Sequence, residues 1–320
     1  PYVGWMSICV VAPIIIMVVY AFSTAAGDFT LENFARMGTY TAVFTRSFKL
    51  AIIATLIALL IGYPVSYMLS KEGPQVQRIA MVLIMLPMWM NFLLRTYSWM
   101  SILENNGLLN QLFQQIGLID LYNQIAMHFA SDPAAYVPID HFQMIGTQGA
   151  VVLGMVYNYL PFMILPIYSV LVKLDHSLIE AARDLGASSV QVFRKVILPL
   201  SLPGVLSGIT MVFVPSVSTF AISRLLGGGT QMLLGDLIEQ QFLGGAYKPH
   251  LGSAIALVIS LSLAATVVLA KLVGCMLPIA AKQLHMDPAI MASPLITTIV
   301  DAGAVLIYFQ AAAALLRLPV

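Results

Sequence analysis

Long apolar runs separated by short polar links dominate the chain. Stretches of about 20 apolar residues are long enough for a helix to cross bilayer hydrocarbon. They occur near Val3 to Phe22, Ser47 to Leu69, Ile79 to Ile102, Gly149 to Val172, Leu200 to Ser223 and Gly252 to Leu272, and a seventh runs from about Ala289 to Leu316. None alternates apolar with polar residues as a barrel strand does. Backbone amides in hydrocarbon must also find partners within their own segment, so each run is a helix. The pattern predicts an all-α integral membrane protein with six spans plus one extra C-terminal span.

Composition sharpens this. Hydrophobic residues make up 60% of the 320 and charged residues 9%, against roughly half and a quarter in soluble domains. A water-soluble globule is excluded. With 15 Lys and Arg against 14 Asp and Glu, no basic surface for nucleic acid is expected. Cys9 and Cys275 lie inside apolar runs without partners at metal-ligand spacing and read as core or lipid-facing residues. The chain enters its first apolar run directly from Pro1, without a basic region or cleavage site. The natural start is therefore expected to precede it, with Pro1 to Phe22 a transmembrane helix rather than a signal peptide.

Charge bias sets orientation, because cytoplasmic links concentrate Lys and Arg. Lys71 and Arg78 follow the second span, Lys173, Arg183, Arg194 and Lys195 the fourth, and Lys271 and Lys282 the sixth. Leu103 to Gln148 carries Glu104, Asp120, Asp132 and Asp140 with no Lys or Arg, which places it outside. The links around Asp28 to Arg46 and Arg224 to Lys248 are mixed and fit the outside by alternation. The N-terminus then lies inside.

Leu174 to Pro203, between spans four and five, is too short and too polar to cross. Ser177 with Glu180 has capping-box spacing and predicts a helix start, Gly186 predicts its left-handed end, and Ser188 with Gln191 predicts a second start. Pro199 is expected to stop that second helix. Leu178, Ala181, Ala182 and Leu185 share one face of the first helix, which calls for a partner, either protein or the inner membrane surface.

Glu180-Ala181-Ala182, Gly186 and Ile197-Leu198-Pro199 together resemble the EAA signature of ABC-importer permease subunits. The resemblance implies a type I importer permease-like bundle over about residues 1–260, with 174–203 as a coupling segment docking on a separate ATPase. Leu86-Pro87-Met88-Trp89, Leu94 to Trp99, and Pro215 to Phe220 leading to Gly227-Gly228-Gly229 resemble the spermidine/putrescine branch. That branch implies a multi-pass protein of the bacterial inner membrane. Its partners would be a second permease subunit, a dimer of ATP-binding subunits and an external substrate-binding protein. ATP and Mg²⁺ would be held by the ATPase, and no cofactor by this chain.

A polycation crossing a low-dielectric bundle needs carboxylates and aromatic faces. Trp89, Tyr97, Trp99, Tyr157 and Tyr159 supply faces in or near spans three and four, and Glu104 closes span three. The same aromatics also suit an interfacial belt or helix packing. Arg95, inside span three, calls for a carboxylate, a carbonyl or a route outward. No G-x-x-x-x-G-K-S/T, H-E-x-x-H or G-x-S-x-G occurs, so a transport subunit rather than an enzyme is expected.

From about residue 261 to 320 the chain departs from this pattern. Leu269 to Gly274, Leu277-Pro278, Met286 to Ala289 and Ser293 to Asp301 resemble the closing helices of MgtE-type magnesium channels. In that family the acid corresponding to Asp301 lines the ion pore. One remnant helix cannot conduct, so a fused or mis-assembled frame is favoured, with Asp301 a buried liability or an interhelical partner. A divalent-cation channel is the alternative.

Overall fold

The computed structural model describes residues 4–5, 7–129, 137–245, 247–262 and 264. Their regular structure is helical, with one isolated bridge between Ser23 and Phe29. A π-helical stretch, Ser7–Val11, opens into α1 (Ala12–Ala21). Next come α2 (Glu32–Arg36), α3 (Thr41–Ser70), α4 (Pro74–Trp89) and α5 (Phe92–Leu103). The outer segment forms α6 (Leu108–Gln115) and α7 (Leu118–Phe129), followed by α8 (Gln148–Leu171). Then come α9 (His176–Asp184), α10 (Ser189–Val192) and α11 (Leu198–Ser218). The described part closes with α12 (Ala221–Leu226), α13 (Leu234–Leu243) and α14 (Pro249–Ser262).

Three helical stretches are long and apolar enough to cross a membrane, Glu32–Ser70, Gln148–Leu171 and Ser189–Ser218. These carry the expected second, fourth and fifth spans. The described parts of the first and sixth are the apolar helices Ser7–Ala21 and Pro249–Ser262, and the rest of the sixth lies outside the described residues. The seventh, with Asp301, lies outside the described residues, as do Cys275, Lys271 and Lys282. The third departs from expectation, because Pro74–Trp89 and Phe92–Gln115 meet at a bend of 91° instead of forming one continuous helix. Met90 is extended there (ψ 149°), and the Asn91 side chain accepts from the amides of Leu93 and Leu94, so a fresh helix starts mid-run.

The core is the mutual packing of α3, α8 and α11. Water cannot drive helices together inside a bilayer, so close approach through small residues must do it. A Cβ on Gly62 of α3 would stand 2.9 Å from Met163 Cγ of α8, and one on Gly208 of α11 would stand 2.8 Å from Met163 Sδ. Buried Met163 thus fills notches in both neighbours. Hydroxyls add cross-links: Ser66 Oγ donates to Gly62 O (2.7 Å) and Ile164 O (3.1 Å), and Tyr63 OH lies 2.8 Å from Ser201 Oγ.

Gly204 offers a direct test. A Cβ there would meet backbone, Pro166 O at 2.8 Å and Ile167 Cα at 3.0 Å, and neither can swing aside. Gly204→Ala is expected to cost about 1–3 kcal/mol, read as a lower thermal midpoint of the purified protein in detergent. Gly149→Ala, whose added carbon meets only Thr147 Oγ1 at 3.7 Å, should leave the midpoint where it is.

Segments assigned by charge to the same side meet in space. At the end expected to face the cytoplasm Tyr168 OH donates to Gln77 Oε1 (2.9 Å), and Phe193 stacks edge-on against Tyr67 (5.5 Å). At the opposite end, expected to lie outside, Arg46 Nη1 donates to Thr230 O (3.3 Å), and Gly146 N to Leu226 O (2.8 Å). The outer segment is tied by asparagines that mimic strand pairing. Asn110 exchanges two bonds with the backbone of Phe142 (3.0 Å each), and Asn123 does the same with Ile139.

Candidate functional site

The segment between α8 and α11 forms helix, glycine bend, helix. Its first start differs from expectation: Asp175, not Ser177, is the N-cap, and its Oδ1 accepts from Ser177 N (2.9 Å). Asp175 has the extended backbone a cap requires (ψ 118°), whereas Ser177 already lies inside the helix, so no Ser177–Glu180 box forms. The bend follows expectation. Gly186 has φ +81°, its N–H donates to Arg183 O (2.8 Å), and Ala187 N donates to Ala182 O (3.1 Å), which is the paired closure of a Schellman motif. Ser188 and Gln191 then form the expected box, with Ser188 N donating to Gln191 Oε1 (2.8 Å) and Gln191 N to Ser188 Oγ (3.4 Å).

Pro199 does not stop the second helix, which runs unbroken over Ser189–Ser218. A π-helical turn, Phe193–Ile197, precedes Pro199, with Leu198 N donating to Phe193 O. The wider turn leaves room where a proline ring would clash with an ordinary α-turn, and the missing N–H is absorbed there. Pro199 therefore sits in the first turn of α11, apart from Glu180, Ala181, Ala182 and Gly186.

Ile179, Ala182, Ala187 and Phe193 pack with Leu174 onto the cluster around Met163 and Ile167. That fixes the bent unit to the bundle. Ala182 therefore stands at the inner edge of its helix, and the outward face is Leu178, Ala181 and Leu185, with Glu180 and Arg183 exposed beside it. Leu185 is 89% exposed and Val190 66%, so a rigid apolar surface projects from the membrane-proximal end.

The expected substrate-path residues divide. Trp99 and Tyr157 meet edge-on (5.2 Å), and Tyr159, with Thr219 beside it, points its hydroxyl toward Pro215 O (3.5 Å). Trp89 (72% exposed) and Tyr97 face outward, and Glu104 is exposed, its carbonyl accepting from Gly107 N and Asn110 Nδ2. The structure thus gathers Trp99, Tyr157 and Tyr159 and leaves the other three apart.

Between them stands Arg95, 7% exposed inside the broken span. Nη1 donates to Pro87 O across the bend, and Nε has no partner. The guanidinium carbon lies 5.9 Å from the Phe92 ring centre and 6.0 Å from that of Tyr157. Of the partners expected for Arg95, the structure uses the carbonyl. Asn158, also in a span, donates to Gly154 O (2.8 Å) within its own helix.

Sequence reasoning passed over a second group of polar residues. Asp236 of α13 accepts from Leu233 N (2.8 Å), and Arg224 Nη1 contacts Glu239 Oε1 (2.7 Å). Burial pushes the Asp236 carboxyl above the usual range, opposed by hydrogen bonds from Ser223 and Leu233. The available signal was an acidic residue in the first turn of α13, where its carboxylate reaches back to the N-cap amide of Leu233. No group of three His, Cys, Asp or Glu side chains is placed to hold a metal among the described residues.

Residues 54–273 match the family model "Binding-protein-dependent transport system inner membrane component". The spermidine/putrescine transport system permease protein PotB of Haemophilus influenzae is 36% identical over 262 residues, covering 79% of this chain and 85% of that protein. PotB of Escherichia coli is 36% identical over 249 residues, covering 75% and 84%. Among solved structures, a bacterial ABC transporter importing alginate shares the fold, with TM-score 0.59 and 18% identity over 82% of this chain and 90% of that one. A bacterial alginate ABC transporter in complex with an alginate pentasaccharide-bound periplasmic protein gives TM-score 0.61 at 16% identity, covering 83% of this chain and 88% of that one. The helical bundle, the bent unit around Gly186 and these matches converge: the chain belongs to the inner-membrane components of binding-protein-dependent transport systems, a transport subunit rather than an enzyme.

Proposed function

We propose that this chain is a permease subunit of an ATP-driven importer for spermidine and putrescine. It would pair with a second permease subunit, receive substrate from an external binding protein and be driven by a dimer of ATP-binding subunits gripping the α9–Gly186–α10 unit. The observation that carries the substrate is the 36% identity to the PotB proteins over most of both chains. The projecting face of Leu178, Ala181 and Leu185 supports a docked motor, because a rigid bent unit anchored on the core transmits movement as a lever. The gathering of Trp99, Tyr157 and Tyr159 supports a cation path beside α5 and α8.

The test is reconstitution in liposomes with the second permease, the ATPase and the binding protein. Labelled spermidine should accumulate only with ATP present, and accumulation without ATP or ATPase would overturn the reading. The family match runs to residue 273, so a magnesium-channel-like segment would begin beyond it, with Asp301 its one candidate metal-site residue. Mg²⁺ flux through the chain alone, abolished by Asp301→Ala, would turn the assignment toward a channel.

A further inference from the structure

Among the described residues Arg95 is the one Lys or Arg that is buried. The ion pairs among them join Arg36 to Glu32 and Arg224 to Glu239, so no carboxylate balances it. A guanidinium stays charged across the physiological range, and an unbalanced charge inside a span is too costly to be there without a task. A second feature has the same sign. Helix α5 starts at the break, with Asn91 capping Leu93 and Leu94, and a helix start carries partial positive charge. Arg95 sits one turn into that helix, where a cation is placed unfavourably. Its guanidinium carbon stands 6.0 Å from the Tyr157 ring centre, and that ring meets Trp99 at 5.2 Å. The ring suited to greet an ammonium is thus already faced by a resident cation.

In a low-dielectric bundle a fixed charge acts over several ångströms and is little screened by salt. It opposes a cation without touching it. We propose that Arg95, together with the α5 N-terminus, is an electrostatic barrier that holds the undriven bundle closed to inorganic cations and to alkylammonium substrate alike. Fixed positive charge excludes cations from other membrane paths by the same physics. The bond from Nη1 to Pro87 O tethers the charge at the break. This deepens the importer reading and rests on α5 and α8 walling the cation path.

The test uses liposomes holding this chain with the second permease and the ATPase, without ATP or binding protein, and follows efflux of K⁺, labelled putrescine and Cl⁻. The unmodified complex should retain all three. Arg95→Met is expected to speed K⁺ and putrescine efflux at least about tenfold, a barrier change of about 1.4 kcal/mol, without raising Cl⁻ efflux. Arg95→Lys keeps the charge and should stay tight. Phe92→Glu addresses the charge and leaves the strap in place. The Phe92 ring centre is 5.9 Å from the guanidinium, and residue 92 opens α5, where a carboxylate is favoured. Its ion pair with Arg95 should raise K⁺ efflux as Arg95→Met does, and it decides alone should Arg95→Met not assemble. Equal rises for K⁺ and Cl⁻ would mean a loosened bend and overturn the barrier. So would unmodified cation efflux in both neutralised variants, or a leak through Arg95→Lys matching that through Arg95→Met. ATP-driven spermidine uptake by the unmodified complex with binding protein separates the two ideas. Uptake alongside tight variants removes the barrier alone, and no uptake removes the reading beneath it.

Discussion

Leu185→Asp is expected to abolish ATP-driven uptake while leaving the permease folded. Leu185 is 89% exposed and closes the outward face of α9, so a carboxylate there meets only water in the isolated chain. In a docked complex it would be buried in an apolar contact without a partner. Such a change at an interface centre costs about 2 kcal/mol or more, over tenfold in affinity. Co-purification of the ATPase should fall with uptake, and the thermal midpoint of the permease should stay unchanged. Gly186→Val attacks the same unit from within. A β-branched residue at φ +81° is strained by about 1–2 kcal/mol, and relief comes by unwinding the bonds from Gly186 to Arg183 and from Ala187 to Ala182. Uptake at wild-type level in both variants, with the ATPase still bound, would remove the coupling role.

What the sequence discloses here follows from whether the physics is local. Helices α3, α8 and α11 are legible because uninterrupted apolar length is a local property and hydrocarbon tolerates little else. The bend at Gly186 is equally plain, since only glycine is at ease in that conformation, and the Ser188–Gln191 box needs two residues alone. Local competition between equals is harder to read. Asp175 and Ser177 are both good caps, and the choice turns on which has extended backbone, which depends on Leu174 packing into the core. Pro199 misleads because the π-turn that accommodates it depends on Phe193 being held between Tyr63 and Tyr67 of a distant helix. The break at Met90–Asn91 is hidden by hydropathy, since a bent run is as apolar as a straight one. Of the aromatic path, composition identifies candidates, and only tertiary packing divides Trp99 and Tyr157 from Trp89 and Tyr97.

Arg95→Met should separate the mechanics of that break from its stability. The guanidinium bridges the two arms of the bend through Pro87 O, yet among the described residues no carboxylate compensates its burial. Removing it loses one charge-assisted bond to Pro87 O, which keeps its bond from Met90 N (3.3 Å); that loss, worth about 1.5–3 kcal/mol, is set against relief of a desolvated charge whose penalty is of similar or larger size. The two oppose, so the thermal midpoint is expected to move by only a few degrees. Transport is not protected by that cancellation. Without the strap the bend is held chiefly by the Asn91 cap, α5 is free to swing on α4, and Trp99 loses its fixed place against Tyr157. Spermidine uptake is therefore expected to fall about tenfold, a barrier change of about 1.4 kcal/mol. Arg95→Glu differs in kind: it buries an anion against carbonyls and phenolic oxygens with no cation near, and should prevent accumulation of folded protein. Wild-type uptake in Arg95→Met would mean that the bend holds itself, and a folded Arg95→Glu would mean that the pocket around residue 95 is open to water.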